Sequence, residues 1–165
     1  MRRLFVLLAA CLVASAMVAG PAAAGDDKPK NTKKAKAQIE EAFQCFLSGS
    51  LANSYEEKAA CVKDGDLLLE LITTTGEANA AAAGTTEIEI ESIKFKSAKK
   101  ATVNFNLVIA GMVLEGIAPP GEAVFAKNAD GKKVWLVSPV MVCDLTSLAN
   151  PATLTEEPCA SILTG

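Results

Sequence analysis

An α+β domain, with its helices ahead of an antiparallel sheet, is the fold class this chain of 165 residues predicts, and three observations carry it. Apolar residues recur at helical spacing from Ile39 to Ile72, and at Thr85 the period changes to two, opening a succession of strand-like segments that reaches Val142. Four cysteines fall in two pairs, Cys45 with Cys61 and Cys143 with Cys159, each with 15 residues between its members. The first two observations give the layers; the third marks the ends of the folded domain.

The chain opens with Arg2 and Arg3, then the apolar run Leu4 to Val18, the break Gly20-Pro21 and the small residues Ala22-Ala23-Ala24. This layout predicts a secretory signal peptide over residues 1–24, cleaved before Gly25. A membrane anchor is the rival, because the run is about long enough for a bilayer of roughly 30 Å, but Gly-Pro and the polar Asp26-Asp27-Lys28 disfavour it. Lipid attachment at Cys11, after Leu8-Ala9-Ala10, is disfavoured too, since the apolar run continues past it.

Residues 25–36 are rich in Lys and Asp with almost nothing apolar, which predicts a flexible lead. Residues 37–165 then form a single domain. Ile39, Ala42, Phe43, Phe46 and Leu47 share one face of a first helix that Gly49 ends, with Cys45 at the flank of that face. Ser54 to Glu57 is a capping box opening a second short helix that carries Cys61. After Asp64-Gly65, Leu67, Leu68, Leu69, Leu71 and Ile72 predict a buried helical stretch. Residues 73–84, with the run Ala80 to Ala83, read as a last helical turn or a loop.

Ile88 and Ile90 alternate with Glu87, Glu89 and Glu91, whereas Ile93 and Phe95 continue on the opposite parity, so a β-bulge is expected near Glu91-Ser92. Val103, Phe105, Leu107 and Ile109 alternate with Thr102, Asn104 and Asn106 in the next strand. Gly111 turns the chain into Met112 to Glu115, Pro119-Pro120-Gly121 interrupts, and residues 124–127 are expected to pair with 134–142 across Asp130-Gly131. The sheet is an antiparallel meander of about four strands.

Composition excludes more than it assigns. Without Arg2 and Arg3 the 16 basic residues become 14 against 19 acidic ones, a net charge of −5, and neither arginine nor histidine is left. That removes bidentate phosphate or base recognition, so no nucleic-acid partner is expected. It also removes Ser-His-Asp and Cys-His sites and histidine metal ligands. No Cys-x-x-Cys occurs, so no zinc and no cofactor is expected, and in an exported chain disulfides are the default for the four cysteines. Three pairings are possible; the local one, Cys45 to Cys61 and Cys143 to Cys159, is favoured, each bridge contributing about 3 kcal/mol.

The chain resembles actinobacterial secreted proteins related to the low-molecular-weight antigens of mycobacteria. The resemblance lies in Phe46-Leu47-Ser48-Gly49, the strand from Ile93 into Ala101-Thr102-Val103, Pro119-Pro120-Gly121, Asp130-Gly131 and Trp135-Leu136-Val137-Ser138. It spans roughly Ala37 to Cys159 and implies a cone-like domain similar to cystatin and nuclear transport factor 2, with helices covering a curved sheet. It also implies that Cys143 and Cys159 are a family pair tying the C-terminal tail to the end of the last strand. It implies no substrate.

Such a concave sheet can hold a pocket. Asn104 and Asn106 share a strand face that points either into a cavity or to solvent, the latter being favoured. Glu115 lies among Met112, Val113, Leu114 and Ile117; burial would raise its pKa, whereas a rim position, the favoured one, would not. Trp135, the single tryptophan, is a core or core-rim residue by type and completes the possible pocket set, while Glu87, Glu89 and Glu91 read as a solubilising stripe rather than a calcium site. The expected function is that of a secreted, non-catalytic, disulfide-bonded module that binds a partner protein or a small apolar ligand at the cell surface or outside the cell, without stable membrane insertion. The alternative is an isomerase- or dehydratase-like enzyme using a pocket carboxylate.

Overall fold

The computed structural model describes residues 28–49 and 53–164; the signal segment expected at 1–24 lies outside them. Helix α1 runs Thr32–Leu47, α2 Tyr55–Ala60, α3 Leu69–Ala78 and α4 Ala80–Ala83. A sheet follows with β1 Thr86–Ser97, β2 Lys100–Ile109, β3 Met112–Leu114, β4 Gly121–Lys127 and β5 Lys133–Val137. Helices α5 Pro139–Ala149 and α6 Cys159–Thr164 close the chain. The class is α+β, with five antiparallel strands; the short β3 is the addition to the meander expected from sequence.

Helix α1 begins at Thr32 because the Asn31 side chain accepts from the Lys34 amide at 2.9 Å, so the last five residues of the segment read as a lead are helical. Its inner face buries Ala35, Ile39, Ala42 and Phe43 against β1 and β5, with Phe43 edge-on to Phe105 at 5.8 Å. At its C-terminus Gly49 donates to the Thr86 carbonyl at 2.7 Å, and a Cβ there would fall on the Ala83 carbonyl; this close approach of two backbones requires glycine. Both bonds of the capping box form on α2, Ser54 N to Glu57 Oε2 at 2.8 Å and Glu57 N to Ser54 Oγ at 3.2 Å. The leucine stretch divides its burial: Leu68 and Ile72 enter the core, but Leu67 is 67% exposed, because a 3₁₀ turn over Gly65–Leu68 precedes α3 and rotates Leu67 outward.

Strand β1 pairs with β2 from Thr86 opposite Ile109 to Ser97 opposite Lys100, with a register shift between Ile90 and Ser92 at the expected bulge. The sheet order is β1-β2-β4-β5, with β3 on the same side of β2 as β4. The outer edge of β5 is covered by residues 61–63: Val137 donates to Cys61 O at 3.0 Å and Lys63 donates to Val137 O at 2.9 Å.

Two expectations are corrected at the C-terminus. The last strand stops at Val137 rather than Val142, because Ser138 adopts an extended cap conformation and Pro139 takes the first turn of a helix, where its missing N–H costs no bond. Met141, Val142 and Cys143 are then buried from α5, with Thr146 one turn on. Cys143 therefore sits in a helix, and the bridge to Cys159, with S–S 2.05 Å, joins α5 to α6 rather than a tail to a strand. The other bridge, Cys45 to Cys61, joins α1 to the end of α2.

Candidate functional site

A gap in the sheet creates one of several surface depressions. Strand β4 pairs with β2 only over Lys100 to Val103, and β3 only over Leu107 to Ile109, so Asn104 to Asn106 have no strand partner on that side. The amide of Phe125 donates to the carbonyl of Lys99 at 2.8 Å, so odd-numbered residues of β2 turn their backbone groups toward this edge. Continuing that register would set Phe105 opposite Pro119, which has no N–H, and the chain instead arches away through residues 115–120.

Asn104, Asn106 and Glu115 line the resulting hollow of about 870 Å³, together with Glu91, Asp144 and Ser147. Both asparagines are engaged across the bulge. Asn106 Nδ2 donates to Glu91 Oε1 at 2.9 Å and Asn104 Nδ2 to Ser92 Oγ at 3.0 Å; Asn106 is buried, whereas Glu115 is exposed in its loop. The bulge is what brings Glu91 to Asn106, a partnership that strand parity alone does not reveal. Trp135 is elsewhere, at the edge of a separate depression that it lines with Phe125 and the first turns of α1. It is buried between Phe95 and Phe125, with ring centroids at 5.7 and 5.6 Å, on the face of the sheet shared by Ala101 and Ala123. Among the described residues no three Asp, Glu, His or Cys side chains gather as a metal site, and no helix is long and apolar enough to cross a membrane.

Another depression is a cleft of about 440 Å³ between α1, α2, α3, α4, α5 and the far end of β2. Its walls include Phe46 and Leu47 at the end of α1, Leu107 and Ile109 from β2, and Leu145 and Leu148 from α5. These six are left partly or wholly exposed, whereas Ile39, Phe43 and Val103 in the adjoining core are fully enclosed. The Ala80 to Ala83 segment helps explain the space: α4 presents only methyl groups, and Ala82 and Ala83 line the cleft without filling it. The sequence expectation misses this site because it carries the last strand to Val142 and assigns no helix to Leu145 and Leu148, which form one wall.

The model of the family described as low molecular weight antigen MTB12, C-terminal domain, matches residues 32–153, which runs from the first residue of α1 to just past the end of α5. Neither a curated protein nor a solved structure matches the chain. The match covers most of the sequence, including every strand and both candidate depressions, and the chain belongs to the MTB12 low molecular weight antigen family through that family's C-terminal domain.

Proposed function

We propose that the protein is a secreted, non-catalytic module that binds a small apolar ligand in the cleft between its helices and the end of β2. One observation carries the reading: an apolar hollow lies beside a closely packed core, and its size is within the roughly 300–1,000 Å³ of small-molecule sites. The two disulfides suit an oxidising compartment, in line with an antigen family and with export. Helices lying over a bent sheet are consistent with the cone-like fold, which leaves such a hollow where the cover ends. The enzyme alternative loses its physical support at Glu115, because the exposed loop carboxylate lacks the burial on which that chemistry was expected to rest.

The test is saturable binding of a neutral apolar probe, dodecanol, to the disulfide-bonded protein, repeated with Ala82→Trp and Ala149→Trp, which fill the cleft from opposite walls. Wild type binds and both variants lose at least tenfold in affinity while keeping their far-ultraviolet circular dichroism. Unchanged binding in both folded variants would refute the assignment.

A further inference from the structure

Lys58 is the one charged residue lining the apolar cleft among the described residues, and no carboxylate lines it. It forms no ion pair among them. Its ammonium donates to the Ser48 carbonyl at 3.1 Å, at the C-terminal end of α1, where the helix dipole favours a cation. An ammonium has three donors, so this capping bond leaves two. Burial lowers the Lys58 pKa below its ordinary value, the direction expected for an ammonium that has lost water without gaining a counter-ion.

Tyr55 stands three residues before Lys58 on the same face of α2, and its hydroxyl makes no hydrogen bond among the described residues. Of the other polar side chains on the cleft, the Thr75 hydroxyl makes no hydrogen bond among the described residues, whereas three are engaged with nearby backbone carbonyls. Asn79 donates to Thr75 O at 2.8 Å, Thr86 to Ala82 O at 2.7 Å and Thr146 to Val142 O at 3.0 Å. The cleft is therefore polarised, with a cation and a hydroxyl contributed by α2 and aliphatic walls from β2 and α5.

We infer that its ligand is a free single-chain amphiphile with an anionic head, a fatty-acid carboxylate, whose chain lies along Leu107, Ile109 and Leu145 and whose oxygens accept from Lys58 and Tyr55. The inference rests on the apolar-ligand reading above and adds the head group. A carboxylate suits two donors set about one helical turn apart on α2 because it accepts at both oxygens, in a short, charge-assisted bond from the ammonium. One chain suits a volume toward the small end of ligand pockets.

Calorimetric titration of the disulfide-bonded protein with dodecanoate, dodecanol and dodecylammonium, each below its micellar concentration, separates head from chain. Dodecanoate is expected to bind on the order of tenfold tighter than dodecanol, and dodecylammonium more weakly than either. Lys58→Gln, which keeps a donor for Ser48, brings dodecanoate to the dodecanol value and leaves dodecanol unchanged. Equal wild-type affinities for acid and alcohol, or a preference for the acid that survives Lys58→Gln, would overturn the head-group assignment and leave the apolar cleft standing. Binding of none of the three ligands would overturn both.

Discussion

The two ends of β2 are equally apolar on their helix-facing side and are completed in opposite ways. At Ala101, three aromatic rings, Phe95, Trp135 and Phe125, close over the sheet, and Ala101 itself is fully buried. At Leu107 and Ile109 the surface is left partly open: Phe46 and Tyr55 stand on the walls without closing it, the α4 alanines present only methyl groups, and a cleft remains. Large side chains fill one end, whereas covalent bonds shape the other. The Cys45–Cys61 bridge ties α1 to α2, and the Cys143–Cys159 bridge ties α5 to α6, so both fix helices that wall the cleft. Stability and an open site are thus allotted to different parts of one sheet, with disulfides substituting for packing where packing would close the hollow.

The largest effect should come from the filled end. Trp135→Ala removes the ring between Phe95 and Phe125 and is expected to cost about 3–5 kcal/mol in denaturant unfolding, since the neighbours are themselves held by the sheet. Dodecanol affinity measured under folding conditions should hardly change, because the cleft lies at the other end of β2; a parallel loss of both would erase the distinction between the ends. The disulfides come next. Cys143→Ser with Cys159→Ser is expected to lower stability by about 3 kcal/mol and also to weaken ligand binding, because α5 forms one wall. Stability lost with binding intact would show that the bridge does not shape the site.

Leu107→Ala probes the open end by itself. The side chain is only partly buried, so its removal should cost less than about 2 kcal/mol, yet binding should weaken severalfold; a cost equal to that of Trp135→Ala would mean that the cleft is ordinary core. The smallest effect concerns Lys58. Its folded-state pKa is lowered by burial, so the unfolded chain holds this proton more tightly. The resulting cost is present in full below the lowered pKa and is relieved as pH rises through it toward the ordinary lysine value. The stability of wild type relative to Lys58→Gln should therefore increase slightly over that alkaline window, and a decrease would contradict the direction of the shift.

Much of the helical cover and of β1 is legible in the sequence because its causes are local. The α1 face, the Ser54 capping box and the parity change at Glu91 each depend on neighbours within a few residues, and each appears where those neighbours place it. The open end is less legible. Residues 134–142 form a nearly continuous apolar run that suits a buried strand, and only the cap at Ser138 with Pro139 in the first turn diverts the second half into α5. With that helix unread, the wall formed by Leu145 and Leu148 is invisible, and so is the cleft. Likewise the type of Trp135 signals core, but which face of the sheet it joins follows from β4 pairing with β5, a non-local fact that separates it from Asn104, Asn106 and Glu115.

Titrating isotope-labelled, disulfide-bonded protein with dodecanoate and following its amide resonances tests the contrast between the two ends most directly. Saturable shifts concentrated at Leu47, Lys58, Leu107, Ile109 and Leu145, with Phe95, Ala101 and Trp135 unmoved, are the predicted result. Shifts centred on the Trp135 end or on the Asn104–Glu115 hollow, or no saturable shift, would contradict the account.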